Sequence, residues 1–296
     1  MVGAHLNRMG ALFLEHGTTT AEVKSGYGLD PVQELKMLRV IRNVNRSSRF
    51  EWVPTLLIHD VPRSLRGRRS RYVGTIVPRL IDQVVRKELA EFFDVFCDRG
   101  AFSVSEARGM LVAAAHAGLK LKAHVEQFAH TGAARMAAGL GAVTVDHADL
   151  VREADLASLK CTSAIVTLLP GSVFHLGAGC YPPARMLIDA GIPVALATNC
   201  NPGSSPTVNM QMILSLACAQ LRMTPAEALT AATINGAWAV GREEQLGSLE
   251  AGKQADLVIM DVSDYRELPY FFGMNHCLTV IKKGRVVYSK IQARYS

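Results

Sequence analysis

The feature that most constrains the fold of this chain is a regular alternation between short β-branched segments and longer amphipathic segments. Runs rich in β-branched residues predict strands, and apolar residues at helical spacing predict the helices that follow them. Strands and helices that alternate in this way are typical of βα units around a parallel sheet. The predicted strands are 19–24, 50–58, 93–96, 120–124, 142–146, 163–168 and 194–197.

Helices are predicted between these strands and after the last one. They cover residues 31–45, 105–117, 132–140, 151–159, 183–190, 210–221 and 225–240. A chain of 296 residues is long enough for one α/β barrel with an appendage. From residue 247 onward the sequence predicts a small β region, in which strands 278–282 and 285–288 form a hairpin that turns at Lys283-Gly284.

The net charge of +6 comes largely from one basic run, Arg63–Arg71. Such a run could contact nucleic acid. No aromatic residues alternate with these arginines and no nucleic-acid-binding motif accompanies them. We therefore predict a solvated loop here, and we expect no nucleic-acid partner.

Cysteine usage and hydropathy indicate the compartment. The six cysteines are widely and irregularly spaced, with no Cys-x-x-Cys pair, and no secretory leader is evident. We predict reduced thiols and a cytoplasmic protein. The longest apolar runs are too short for a membrane span, so no membrane partner is expected.

Residues able to do chemistry follow nearly every predicted strand. These segments are Lys24–Leu29, His59-Asp60, His124–Gln127, Asp146-His147 and Thr198–Gly203. In a barrel, the carboxyl ends of all strands share one rim, where barrel active sites lie. We therefore expect one pocket faced by residues that are distant in sequence, namely Tyr27, His59, His124, His147 and Asn201.

The sequence resembles imidazolonepropionases, which are amidohydrolases, from about residue 5 to about residue 290. The segments that carry the resemblance are His16–Thr20, Glu22–Asp30, Glu34–Arg39, Asp94–Cys97, Gly100–Phe102 and Asn201–Gly203. The tail segment Gly247–Leu257 is shared with many amidohydrolases, so it marks only the superfamily. Lys24–Leu29 is much more specific.

The resemblance implies a TIM-type (β/α) barrel of the amidohydrolase kind, lacking its first strand, with a small C-terminal β region. Residues 1–240 would form the incomplete barrel, and residues 241–296 a remnant of a β-sandwich. The implied reaction is hydrolysis of 4-imidazolone-5-propanoate to N-formimidoyl-L-glutamate in histidine degradation. One divalent metal, zinc or iron, is expected with it.

The resemblance also assigns residue roles. His124 and Asn199 are expected as metal ligands. His147, Gln127 and Asn199 are expected in catalysis, where His147 would polarise or orient the substrate and the water. The expected substrate-binding residues are Tyr27, His59, Asn201, Gly203 and Ser204. The remaining histidines are interpreted as surface or packing residues: His5, His16, His116, His130, His175 and His276.

Two departures from the family leave alternatives open. The family's His-x-His metal pair lies in an earlier segment, and no His-x-His occurs in this sequence. Asn199 replaces an aspartate, and an amide cannot take a proton. The chain could thus be a non-catalytic relative that keeps the pocket, or a different amidohydrolase such as a deaminase. A new metal site of His59, His124 and His147 is a further hypothesis. The open edges of an incomplete barrel also predict a homodimer.

Overall fold

The computed structural model describes residues 2–290, and Met1 and residues 291–296 lie outside the described part. Seven parallel strands form one sheet in sequence order, from β1 to β7. They are β1 (Thr20–Lys24), β2 (Glu51–Ile58), β3 (Phe92–Cys97), β4 (Lys120–Val125), β5 (Thr144–His147), β6 (Ile165–Leu168) and β7 (Val194–Leu196). All seven predicted strands are confirmed, and their boundaries differ by two residues at most.

Helices connect these strands and cover the outer face of the sheet. They are α1 (Val2–Glu15), α2 (Pro31–Asn45), α3 (Arg69–Arg71), α4 (Val77–Arg86), α5 (Val104–His116), α6 (Ala133–Gly139), α7 (Glu153–Lys160), α8 (Pro170–Leu176), α9 (Ala184–Asp189), α10 (Met210–Leu221), α11 (Pro225–Ala232), α12 (Ile234–Ala239) and α13 (Glu267–Tyr270). α2 and α10 have the predicted boundaries.

One loop prediction and one helix prediction were wrong. The basic run is not a loop, because a 3₁₀ turn over Arg63–Arg68 leads into α3, then into a π turn over Tyr72–Ile76 and into α4. The predicted helix 225–240 is interrupted at Thr233, which has φ of −114° and ψ of −90°. That residue separates α11 from α12 and lets the second helix turn toward the sheet.

The sheet is strongly curled. Lys24 Nζ on β1 lies 2.8 Å from Asp146 Oδ2 on β5. In a flat sheet, strands four positions apart would be separated by about 19 Å, at roughly 4.8 Å per strand. The contact between the two side chains therefore requires an inner face rolled into a half-barrel, whose edges in the described residues are β1 and β7.

Polar contacts close the amino-terminal end of the half-barrel. Lys122, on the inner face of β4, donates to the carbonyl oxygen of Ala239 at the end of α12, at 2.7 Å. Arg242 follows and donates to Glu51 Oε1 at 3.1 Å and to Glu91 Oε1 at 2.6 Å. Since both glutamates lie where strands begin, the segment after α12 is bound at the amino-terminal end of the half-barrel.

The tail forms the predicted β region. β8 (Leu257–Met260), β9 (Cys277–Lys282) and β10 (Arg285–Ser289) form an antiparallel sheet in the order β10-β9-β8. Lys282 joins it to the barrel by donating to Thr20 Oγ1 at 3.1 Å and to Glu51 Oε2 at 3.2 Å. The division at residue 240 stays a prediction.

Within residues 2–290, no helix has the length and apolar character needed to cross a membrane.

Candidate active site

A glycine and a buried glutamate shape the loop after β1. Gly26 has φ of +110°, and a Cβ at this position would lie 2.9 Å from the side chain of Leu57. Glu34 in the first turn of α2 accepts hydrogen bonds from Gly26 N at 2.6 Å and from Leu29 N at 3.0 Å. These contacts fix the backbone on both sides of Tyr27, whose ring remains 55% exposed.

Five rings from five successive strand ends form a continuous row. Centroid distances are 5.5 Å from Tyr27 to His59, 5.2 Å from His59 to Phe96, 6.2 Å from Phe96 to His124 and 5.4 Å from His124 to His147. We call these residues the ring row. The structure thus brings together four of the residues that the sequence analysis selected, and it adds Phe96.

A network of buried charges lies beneath the ring row. His124 Nδ1 is 2.9 Å from Asp94 Oδ2, although the contact lies outside the angles of a well-formed hydrogen bond. Lys24 Nζ lies between two carboxylates, 2.6 Å from Asp94 Oδ2 and 2.8 Å from Asp146 Oδ2. Glu22 adds a third carboxylate 3.3 Å from the same ammonium group.

These charges control each other's protonation. Burial alone would raise the pKa of Asp94 and of Asp146, but the neighbouring His124 and Lys24 outweigh it and hold both pKa values below the ordinary range. Burial would lower the pKa of Lys24, but the three carboxylates raise it well above its usual value. The network therefore stays ionised at neutral pH.

Two histidines above this network, His147 and His59, are kept neutral. Burial and the neighbouring His124 lower the pKa of His147 to about 3. Burial, again with His124, also lowers the pKa of His59. Each neutral imidazole offers one N–H donor and one lone pair to a ligand. His147 Nδ1 lies 3.9 Å from Asp149 Oδ2, and burial together with Asp98 raises the pKa of Asp149 to about 7.

The loop after β7 is organised by an asparagine. Asn201 Oδ1 accepts from Gly203 N and Ser204 N, both at 2.8 Å, and its Nδ2 donates to Asn199 O at 2.7 Å. Asn199 has φ of +49°, and its Nδ2 donates to Ser172 Oγ at 2.8 Å. This loop lies at the same rim, two strands from His147. The amide of Asn201 is used to hold the turn itself.

The loop after β4 carries the remaining predicted residue, Gln127. Its backbone nitrogen donates to Asp98 Oδ2 at 2.6 Å, and Phe128 N donates to the same oxygen at 3.0 Å. The loops after β3 and β4 are thereby joined, and Gln127 is half-buried.

With this geometry in place, comparison with known proteins decides the family. The model of the amidohydrolase family matches residues 13–287. The chain belongs to the amidohydrolase family.

Curated relatives of this amidohydrolase include imidazolonepropionases. The chain is 44% identical to the imidazolonepropionase of Alkaliphilus metalliredigens over 278 residues, which cover 94% of this chain and 66% of the relative. It is 46% identical to that of Solibacter usitatus, over 94% of this chain and 67% of the relative. The chain thus spans about two thirds of the length of these relatives.

Solved structures share the fold of this amidohydrolase at low sequence identity. An adenosine deaminase from Xanthomonas campestris with bound zinc superposes with a TM-score of 0.75 at 21% identity, covering 98% of this chain and 70% of that one. A mutant atrazine chlorohydrolase from Arthrobacter aurescens, complexed with zinc and atraton, gives 0.77 at 17% identity, covering 97% and 72%.

The two predicted metal ligands, His124 and Asn199, each keep one atom that could bind a metal. His124 has an acidic partner on Nδ1, which leaves Nε2 for a metal. The side-chain nitrogen of Asn199 donates a hydrogen bond to Ser172, which leaves the amide oxygen of Asn199 available as a second ligand. Catalytic zinc normally has three protein ligands, so these two residues fit such an ion only in part.

Clusters of ligand atoms test the three-histidine hypothesis. Among the described residues, two groups of His, Cys, Asp or Glu bring ligand atoms within 4.8 Å of one another. The first group consists of Asp94, His124 and Asp146. The second group consists of Glu126, His130 and Asp155. Neither group contains His59 or His147, so the described residues do not bring the ligand atoms of the three histidines within 4.8 Å of one another, and that site stays a hypothesis. In the first group, the ammonium of Lys24 already takes the position of a cation.

Sequence analysis missed the charge network, although its pattern was present. Glu22 and Lys24 alternate along β1, and Lys122 and His124 alternate along β4. Charged residues at period two in a buried parallel strand point to one polar inner face. Their pairing across four strands becomes visible only once the sheet has curled.

Proposed function

We propose that this chain forms the substrate pocket of an imidazolonepropionase, which hydrolyses 4-imidazolone-5-propanoate to N-formimidoyl-L-glutamate. The observation that carries the proposal is 44% and 46% identity to imidazolonepropionases over 94% of the chain. The much lower identity to a solved adenosine deaminase supports only the shared fold.

The ring row suits a small planar substrate. Tyr27 and His59 are stacked at an interplanar angle of 26°, so an imidazolone ring would find a flat aromatic surface at the mouth. Neutral His59 and His147 each supply one donor and one acceptor, which match the N–H and carbonyl groups of the ring. In the proposal, the loop with Asn201, Gly203 and Ser204 borders the same mouth.

The proposed metal is one zinc or iron ion held by His124 with Asn199. Such an ion, when bound, makes water acidic enough to supply hydroxide near neutral pH. His147 would orient the substrate carbonyl and the water, and Gln127 would hold the substrate by its amide. The buried carboxylate of Asp94 would keep the ring of His124 oriented.

A non-catalytic role is the second candidate, and one residue favours it. Asn199 has an amide where the family has an aspartate, and an amide cannot accept a proton from water. General-base catalysis contributes roughly 10²–10⁴-fold to rates. A protein without it would keep the pocket and bind the substrate without efficient turnover.

A turnover assay with 4-imidazolone-5-propanoate, run on the chain and on Asn199→Asp, tests the proposal. We expect slow hydrolysis by the unaltered chain, and an increase of about 10²-fold or more for the variant because a proton acceptor is restored. Asn7→Asp, on the exposed face of α1, is the matched control and leaves the rate unchanged. Absence of turnover in both proteins, with zinc or iron supplied, would favour the non-catalytic role.

Location and assembly belong to the same proposal. All six cysteines are free thiols, which suits the reducing cytoplasm. The open edges of β1 and β7 offer unpaired backbone groups, which supports a homodimer. Sedimentation equilibrium would then give twice the chain mass of 32.1 kDa, and a monomer at all concentrations would contradict it.

A further inference from the structure

The second group of ligand atoms lies between the loop after β4 and the start of α7. It consists of Glu126, His130 and Asp155, whose ligand atoms all lie within 4.8 Å of one another. His130 Nε2 is 2.8 Å from Asp155 Oδ2. The ring row and the charge network beneath it contain none of these three residues.

Glu126 provides an independent indication of a ligand. It is fully buried, and its Oε1 accepts a hydrogen bond from Gly132 N at 2.8 Å. Its Oε2 is also buried but has no hydrogen-bond partner among the described residues. A buried carboxylate oxygen without a partner costs free energy, so such an atom calls for a proton or a cation.

We propose that Glu126, His130 and Asp155 hold a divalent transition-metal ion of the zinc class, at a structural site separate from the active site. One imidazole and two carboxylates, completed by water, form a ligand set that suits such an ion. Ligands of a tetrahedral zinc ion with bonds near 2.1 Å lie about 3.4 Å apart. The group therefore needs shifts of about 1 Å or less.

The surroundings of the group support metal binding. Asp155 Oδ1 is 2.8 Å from Arg135 Nε, and Asp155 Oδ2 accepts from Arg152 N at 2.9 Å. Partners of this kind orient carboxylates that bind metals. The guanidinium group of Arg135 balances only the carboxylate of Asp155, so the carboxylate of Glu126 leaves negative charge for a cation. The side chain of His130 is 18% exposed and gives the ion a route from solvent.

Binding exchanges a proton for the metal. In the metal-free chain, Nε2–H of His130 donates to Asp155 Oδ2. The ion takes the position of this proton, which leaves to solvent, while Nδ1 takes up one proton from solvent, so the ring stays neutral and the Nε2 lone pair becomes a ligand. The result is a link between the loop after β4 and α7, which would stiffen the loop that carries Gln127. The inference does not depend on the proposed reaction.

Zinc content and thermal unfolding of the full chain test the site. The protein is stripped with a chelator, incubated with zinc, passed through gel filtration and analysed for metal, with His130→Ala, Glu126→Gln and His124→Ala in parallel. His175→Ala, an exposed histidine on α8, is the matched control. Glu126→Gln keeps an acceptor for Gly132 N, so it remains informative if His130→Ala does not fold.

We expect His130→Ala and Glu126→Gln to bind one zinc fewer than the unaltered chain, whereas His124→Ala and His175→Ala keep this zinc. Zinc at about 100 times its Kd should raise the Tm of the unaltered chain by about 5 °C, but not that of His130→Ala. Magnesium should give no such increase, because it prefers oxygen ligands. Equal zinc content in the unaltered chain and His130→Ala, or loss of all zinc in His124→Ala, would overturn the proposal.

Discussion

Lys24 places a largely buried ammonium group among three carboxylates, and removing this ammonium group should destabilise the fold. In Lys24→Met, Asp94 and Asp146 would face each other without the cation that now lies 2.6 and 2.8 Å away. Breaking a buried ion pair by removing one partner costs about 3–5 kcal/mol. We expect a loss of this size in the free energy of unfolding by urea.

The control for this substitution is Lys160→Met, which removes the same charge from an exposed position on α7. It should change the free energy of unfolding by about 0.5 kcal/mol or less. If Lys24→Met also lowered the free energy of unfolding by only about 0.5 kcal/mol, the buried charge network would not stabilise the fold.

His147 makes stability depend on pH. Its pKa is lowered to about 3 in the folded chain, whereas an unfolded chain has the ordinary value near 6.5. Between these two pH values the unfolded state binds more protons than the folded state, so stability rises with pH. The contribution is fully present above about pH 6.5 and is lost as the pH falls toward 3, with a slope of at most about 1.4 kcal/mol per pH unit.

Urea unfolding between pH 7 and pH 4 measures this slope. His147→Gln should be less stable at pH 7 but show a flatter decline, because no imidazole is left to protonate. His175→Gln, exposed on α8, should keep the slope of the unaltered chain. Parallel curves for all three proteins would show that His147 is not held neutral.

Four of the five residues in the ring row could be predicted as site residues from the sequence. Tyr27, His59, His124 and His147 follow strands in the sequence, so their common rim could be predicted from topology alone. Phe96 could not, because nothing distinguishes it from an ordinary core aromatic residue. The bonding of Asn201 within its own loop depends on backbone geometry that one sequence does not reveal.

Among the elements, the loop between β1 and α2 carries the next prediction. Glu34 holds this loop through two backbone N–H groups. Glu34→Ala leaves both groups without an acceptor, and we expect a loss of about 3 kcal/mol in the free energy of unfolding. The amides of Gly26 and Leu29 should exchange hydrogen faster, because their bonds to the carboxylate are gone.

Glu34→Gln is the graded control for this loop. Its amide keeps one acceptor oxygen, so exchange at Gly26 or Leu29 should remain slower than in Glu34→Ala. Unchanged exchange at both amides in the alanine variant would mean that the loop is held by other contacts.

Sequence periodicity was sufficient for the strands but not for every helix. Most of the strands are short, largely apolar and mostly buried runs, and this composition identifies them. The helical segment from Arg63 to Arg86 was partly mistaken for a loop because its first turns are exposed arginines with little apolar face. Arg69 is nevertheless fixed by an ion pair to Glu106 Oε1 at 2.6 Å.

For the molecule as a whole, the half-barrel explains why distant residues act together. The carboxyl ends of β1 to β5 supply the five rings, and β7 supplies the asparagine loop at the same rim. Lys122 binds the end of α12 and Arg242 binds Glu51 at the amino-terminal end, so the rim that carries the rings is the proposed mouth. The central claim is that this mouth binds an imidazolone carrying a propanoate.

Isothermal titration of the full chain with freshly prepared 4-imidazolone-5-propanoate tests that claim most directly. We predict saturable binding with a Kd between about 1 μM and 1 mM, the usual range for metabolic substrates. Tyr27→Ala and His59→Ala should each weaken it by about tenfold or more, whereas Tyr265→Ala, an exposed tyrosine of the tail, should not. No saturable binding, or equal affinity in all four proteins, would contradict the account.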